Sequence, residues 1–479
     1  MKELDQKALF WIAAASILFM ELLIFGGWGI AVPISVIIYY ILILSQNKTI
    51  RIKRNVLLLI PIIMISLCFV FFDNMLLKFL NVIFLYGLIV LDTSEQFKVN
   101  KFEFLSLEWI MQVVPIGIIK PIKNILAPIR LIRDDGKDKY RKFFNIFWKI
   151  LIGLLVGLPI VFIATILLMR SDIAFKNVID LINDNLSFNF FAIIKRIAVF
   201  TIIYFPLCGY FYGVKNKEKE NCNEENKQIK IKFDFTIVIT ATSFLCTIYV
   251  MYCLAKFTYL ISSFMGILPA EYTFSEYARQ GFFECVPLVS INLFFIIVLD
   301  LFTKVNDSKK KRIITKGFIY YLIAFTLFLV ISALSKMILY INAYGITLMR
   351  VYIAWILILG FIILLLIGIK EYNNKFKLIR NVFIAFTIMF LGLNYINVDY
   401  RIAKYDADLY IAGKVDTIDA FKDLSNSALE PLMEVSRTGD KKTLLLKRYE
   451  NRLEEKEKWQ DWNVVTYKAK KILENEKIN

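Results

Sequence analysis

The sequence predicts an all-α polytopic integral membrane protein with about 11 transmembrane helices, a cytoplasmic N-terminus and a small helical C-terminal tail outside. Three observations carry that reading. Hydrophobic residues make up 58% of the 479 and the mean hydropathy is +0.60, where a soluble globular chain is about 45–50% apolar. Apolar runs recur at the length a bilayer demands, roughly 20 residues each. Basic residues gather in alternate loops, the pattern left by the positive-inside rule.

Taken in order, the runs 8–25 and 29–44 form a first pair, joined by a tight turn of Gly26, Gly27 and Trp28. Runs 55–72 and 75–91 form a second pair around Asp73 and Asn74. Seven more follow at 147–169, 193–214, 236–254, 282–301, 319–334, 351–369 and 382–396. The start, M-K-E-L-D-Q-K before an apolar run, lacks a small-residue cleavage site and reads as a retained first helix. Composition divides the chain into three regions: 1–146, four spans plus a basic amphipathic loop; 147–396, a seven-span core; and 397–479, the tail.

Loop charge sets the orientation. Segments 1–7, 45–54, 92–146, 215–235, 302–317 and 370–380 hold 32 Lys and Arg between them, while the short opposite loops hold only a few. This places the N-terminus in the cytoplasm and, after eleven spans, the tail outside. The stretch 105–119 is apolar enough to resemble a further span. Basic residues flank it on both sides, and Pro115, Pro121 and Pro128 are expected to break any long helix there. An in-plane or re-entrant cytoplasmic piece is the expectation. The tail, in which 16 basic residues balance 16 acidic ones, reads as about four short helices separated by turns at Gly413, Ser425 to Ser427 and Gly439.

Composition also narrows the chemistry. The net charge of +17 lies wholly in the membrane part, so it reports topology and not nucleic-acid binding. The chain has no histidine, which removes His-activated nucleophiles and H-E-x-x-H zinc sites. The six cysteines form no C-x-x-C pair, so neither a disulfide framework nor a metal site is expected. No cofactor is implied.

The most polar apolar-flanked stretch is 331–355, I-S-A-L-S-K-M-I-L-Y-I-N-A-Y-G-I-T-L-M-R-V-Y-I-A-W, with Lys336, Tyr340, Tyr344 and Arg350. With Asp172 after the fifth span, and Glu276, Tyr277, Arg279 and Glu284 ahead of the eighth, it forms a candidate outer-face polar cluster. Guanidinium and carboxylate groups there could hold an anionic or zwitterionic lipid headgroup. The plainer alternative is salt-bridged helix ends and snorkelling anchors. Arg350 is expected to find its acidic neighbours in Asp172, Glu276 and Glu284. Within the spans, Glu21 and Lys78 are a candidate intramembrane ion pair, since an ionisable group at that depth needs a partner. Tail carboxylates such as Asp406 and Asp408 read as solvated surface.

The stretch S-A-L-S-K-M-I-L-Y-I-N-A-Y-G-I-T-L-M-R-V-Y-I-A-W resembles a bacterial multi-pass membrane family catalogued as a domain of unknown function, the 4153/4173 group. F-S-E-Y-A-R-Q-G-F-F-E is similar to that family's Y-A-R-x-G-F motif, and L-L-M-R-S-D-I-A-F to its S-A-D-x-x-F segment, with the alanine absent. N-V-D-Y-R-I-A-K-Y-D, L-S-N-S-A-L-E-P-L and W-N-V-V-T-Y-K-A in the tail also resemble it, although Tyr405 and Asp406 stand where the family has Asn or Arg-Asn. The likeness runs from about 147 to 473. It implies a membrane protein with no assigned substrate, cofactor or catalytic residue.

Three function classes follow. The expectation is a non-enzymatic protein of the bacterial cytoplasmic membrane, acting in envelope maintenance or signalling through its outer tail. A small-solute or lipid transporter would need a mid-depth polar site. A histidine-free enzyme acting on lipid-linked substrate would need the outer carboxylates to converge. Beyond the bilayer itself, the sequence identifies no protein partner.

Overall fold

The computed structural model describes residues 6–46, 52–97, 102–128, 190–220, 233–265, 272–303, 308–373, 375–413, 419–436, 442–454 and 458–478, with short pieces between 153 and 177. Among them the regular structure is helical, with one isolated bridge between Phe233 and Thr303. The membrane helices are α1 (Gln6–Phe19, continued by a π turn Met20–Ile24), α2 (Ala31–Gln46), α3 (Ile52–Phe71) and α4 (Met75–Gln96). After α5 (Leu107–Lys123) come α6 (Phe190–Glu220), α7 (Phe235–Phe264), α8 (Phe274–Ile297), α9 (Lys309–Tyr344), α10 (Leu348–Tyr372) and α11 (Leu378–Tyr395). The tail carries α12 (Val398–Ile411), α13 (Leu429–Ser436), α14 (Lys442–Glu454) and α15 (Val464–Ile478).

Among the described residues, eight helices are long and apolar enough to cross a bilayer, and two shorter apolar ones, Ala31–Gln46 and Val56–Phe71, accompany them. These ten coincide with ten of the expected runs. The run 147–169 lies largely outside the described residues. The chain packs as two compact units, Met1–Glu224 with Lys456–Tyr467, and Glu225–Glu455 with Lys468–Asn479. Packing thus divides the tail, which composition treats as one region.

In the first unit, α5 corrects an expectation. It is a continuous helix that runs through Pro115 and Pro121. A proline leaves the carbonyl four residues earlier without its helical donor. For Pro121 that carbonyl is Gly117 O, and the Tyr86 hydroxyl of α4 donates to it at 2.7 Å. The Ser106 side chain caps the helix start by accepting from Trp109 N at 3.1 Å. Small residues let the backbones approach: a Cβ on Gly209 of α6 would fall 2.5 Å from the Pro121 carbonyl oxygen.

The first hairpin turn is clasped by the tail segment of the same unit. Trp28 N donates to Asp461 Oδ1 at 3.0 Å, Ile30 N donates to the Trp462 carbonyl at 3.1 Å, and Lys458 Nζ donates to the Phe25 carbonyl. The glycines make room for this. A Cβ on Gly29 would meet the Asp461 carbonyl oxygen at 2.4 Å, and one on Gly27 would meet the Asp461 Cβ at 2.5 Å.

In the second unit, α7, α8 and α9 are joined at depth by a buried polar chain. Tyr249 OH donates to Asn292 Oδ1 at 2.6 Å, Asn292 Nδ2 donates to Thr326 Oγ1 at 2.8 Å, and Thr326 Oγ1 donates to the Leu322 carbonyl at 2.6 Å. Tyr249 also stacks on Phe325 at 4.1 Å between ring centroids. Each polar atom of these three side chains has a partner, as apolar surroundings require.

Candidate functional site at the Gly345 turn

The polar stretch 331–355 is mostly helix. α9 runs unbroken to Tyr344, and the turn is reduced to Gly345, Ile346 and Thr347 before α10 begins. Helix is favoured there because it satisfies backbone groups that the membrane edge solvates poorly. F-S-E-Y-A-R-Q-G-F-F-E is likewise helical, since α8 begins at Phe274 and not at 282. Gly345 closes α9 with φ +76 and ψ −171, a backbone region open to glycine alone, and its N–H donates to the Ile341 carbonyl at 2.9 Å.

Arg350 folds back over this end. Its Nη1 donates to the carbonyls of Tyr344 at 3.1 Å and Gly345 at 2.5 Å, which α9 leaves without helical partners. The guanidinium lies over the Tyr340 ring at 3.9 Å, and Tyr340 packs edge-on against Tyr344, with 5.6 Å between ring centroids. A cation at a helix C-terminus and on a π face is favoured twice, by about 0.3–1 kcal/mol for the first and about 0.5–1 kcal/mol for the second.

The acidic neighbour of Arg350 is Asp406 of the tail helix α12, in place of the expected Glu276 or Glu284. Asp406 Oδ1 accepts from Ile346 N at 3.0 Å. A Cβ on Gly345 would meet that same oxygen at 2.8 Å, so the glycine also makes room for the carboxylate. Burial pushes the Asp406 carboxyl up to about 6, opposed by the Ile346 hydrogen bond and by the charge of Arg350.

One turn deeper, Lys336 is buried with its ammonium 4.5 Å from the centroid of the Tyr277 ring. Gly281 lies one helical turn past Tyr277 on α8, and a Cβ there would meet Lys336 Cδ at 2.7 Å. The Y-A-R-Q-G-F segment therefore forms a slot: the tyrosine supplies the π face and the glycine admits the lysine stem. Phe274 extends the aromatic wall to Tyr344, with 6.3 Å between centroids.

The remaining candidates do different work. Glu276 closes a capping box, its Oε2 accepting from Thr273 N at 3.1 Å while Thr273 Oγ1 accepts from Glu276 N at 3.3 Å. Glu284 accepts from Tyr252 OH at 3.3 Å, and Arg279 is exposed. Asp172 belongs to the first unit, where it accepts from Ala174 N at 2.8 Å. The expected Glu21–Lys78 pair is corrected, because each finds another partner. Glu21 bridges Arg196 of α6 at 2.6 Å, and Lys78 bridges Asp73 at 2.8 Å, one turn away across the start of its own helix.

Sequence reasoning passed over two acidic positions. Asp406 read as solvated, yet Asp399, Ile402, Ala403 and Asp406 share the i, i+3, i+4, i+7 spacing of one helix face. Three of the four are buried and Asp406 is half-buried. Asp92 read as the start of a cytoplasmic loop, but α4 continues through Gln96, and Asp92 is fully buried with Tyr40 OH donating to its Oδ2 at 2.9 Å.

The apolar helices and the hydrogen bonds between them define a helical membrane-embedded protein, in which the helix α12 docks on the turn between α9 and α10. The chain belongs to the family described as Domain of unknown function (DUF4153), which matches residues 59–435. That match begins well upstream of the motifs and ends at the close of α13. Comparisons with curated proteins and with solved structures return no match.

Proposed function

We propose that this is an eleven-span, non-enzymatic protein of the bacterial cytoplasmic membrane, N-terminus inside, acting in envelope maintenance or signalling by docking its outer tail on the Gly345 turn. The observation that carries the reading is the Asp406 contact with Ile346 N, beside Arg350. It links a soluble helix to the turn joining two apolar helices, where displacement of α12 would be felt by α9 and α10.

Support for the span count comes from the clasp in the first unit. The turn after the first span and the segment Lys458 to Trp462 share a face only if an even number of crossings separates them, and ten further spans supply that. Two engagements weigh against the other readings. Glu276 and Glu284 are occupied separately instead of converging as an acid–base pair, and the mid-depth groups Tyr249, Asn292 and Thr326 bond to one another.

Hydrogen exchange of the α12 amides in lipid nanodiscs tests the docking. The docked carboxyl holds its proton more tightly than a free one of ordinary value 3.8. Docking is therefore strongest below that value and weakens as pH rises through about 6. After correction for intrinsic rates, α12 should be better protected at pH 5 than at pH 7.5. Asp406→Asn keeps the acceptor for Ile346 N and should be equally protected at both. A pH response that survives in Asp406→Asn would sink the reading.

A further inference from the structure

Near the opposite ends of α9 and α10 an apolar groove of about 610 Å3 is lined by Tyr320 and Ile323 of α9 and by Leu364, Leu365, Gly368, Ile369 and Tyr372 of α10. Its volume lies within the roughly 300–1,000 Å3 of small-molecule sites. It runs two turns along α10, about 12 Å. The groove is open beside Gly368, where a Cβ would meet nothing within 4 Å.

The stripe of α9 that lines the groove turns basic at its lower end. Lys309, Arg312, Lys316, Tyr320 and Ile323 follow one another at spacings of three or four, so they share one face of the helix. Lys316 lies one turn from Tyr320, about 6 Å along the axis, and Arg312 lies two turns away. Among the described residues, Asp300 and Glu371 are already engaged: Lys370 bridges both, the latter at 2.9 Å, and Lys316 Nζ donates to the Glu371 carbonyl at 2.5 Å. Lys309 and Arg312 are exposed and have no ion-pair partner among the described residues.

We propose that this groove binds an anionic phospholipid, one acyl chain lying along Gly368 between Tyr320 and Tyr372 and the phosphate resting on Lys309, Arg312 and Lys316. A greasy slot that opens onto a basic stripe matches both parts of such a molecule, and basic pockets between membrane helices recognise anionic headgroups. A second copy is a poorer occupant, because two-fold pairing would bring like-charged stripes together. The inference does not depend on the docking of the tail.

Native mass spectrometry of the full chain from nanodiscs of phosphatidylglycerol or of phosphatidylcholine tests it. The expected result is preferential retention of one phosphatidylglycerol. Lys309→Gln and Arg312→Gln should each lower retention about fivefold, the effect of roughly 1 kcal/mol per basic residue. Gly368→Leu, which fills the groove, should abolish it, with Leu365→Trp as the substitute if that variant does not fold. Equal retention of both lipids would mean ordinary annular lipid and overturn the site. Retention that follows the charges but survives groove filling would also overturn it, as would a dimer that Gly368→Leu dissociates with lipid retention unchanged.

Discussion

Gly345 is constrained from two directions, and both act on one atom position. Its φ of +76 excludes residues with a Cβ, and the space a Cβ would take lies 2.8 Å from Asp406 Oδ1. Gly345→Ala should therefore cost about 1–3 kcal/mol of backbone strain and push α12 off the turn. The expected readout is a lower thermal midpoint together with faster exchange of the α12 amides. An unchanged α12 in this variant would show that Asp406 does not hold it. At this scale the sequence was partly legible. Lys336, Tyr340, Tyr344 and Arg350 stood out because polar side chains beside apolar runs are costly. Asp406 did not, because a tail carboxylate among lysines has the same local composition whether it is solvated or tucked beneath a turn.

Helices show the same division between pattern and packing. Apolar runs located ten of them, yet their ends shifted wherever polar residues continued the helix, as in Asp92 to Gln96 of α4 and Phe274 to Gly281 of α8. Hydropathy measures transfer to lipid and says nothing about polar residues that are buried in protein. Pro121 illustrates the reverse error: it should have ended a helix, but Tyr86, 35 positions earlier in sequence, supplies the missing donor. The Asn292 bridge offers a test of how much such long-range bonds contribute. Asn292→Leu should destabilise the second unit by about 0.6–2 kcal/mol, the range for polar contacts between membrane helices. Adding Tyr249→Phe should cost less than the two changes taken separately, since the orphaned hydroxyl goes with it. Additive losses would mean the three groups do not act as a chain.

At the scale of the whole molecule, the alternating basic loops predict a tail outside, on the face of the first hairpin turn that Asp461 clasps. An exposed cysteine placed at Asp408 should react with an impermeant maleimide in intact cells, while one at Lys375 should react only after lysis. Reaction at Asp408 only after lysis would overturn the orientation. The glycines at positions 26, 27 and 29 were legible as a turn but not as a socket, because a glycine signals permitted closeness without saying what comes close. Sequence by itself determined that the chain is helical, sits in a membrane and has no histidine chemistry, since these follow from summed hydropathy, loop charge and composition. Only the tertiary structure decided the partners: Asp406 with the Ile346 amide, Glu21 with Arg196, Lys336 with the Tyr277 ring, and the Gly26 to Ile30 turn with the tail. The physical reason is range. Transfer free energies add up along the chain, whereas a hydrogen bond or ion pair forms only where folding brings two distant groups within about 3–4 Å.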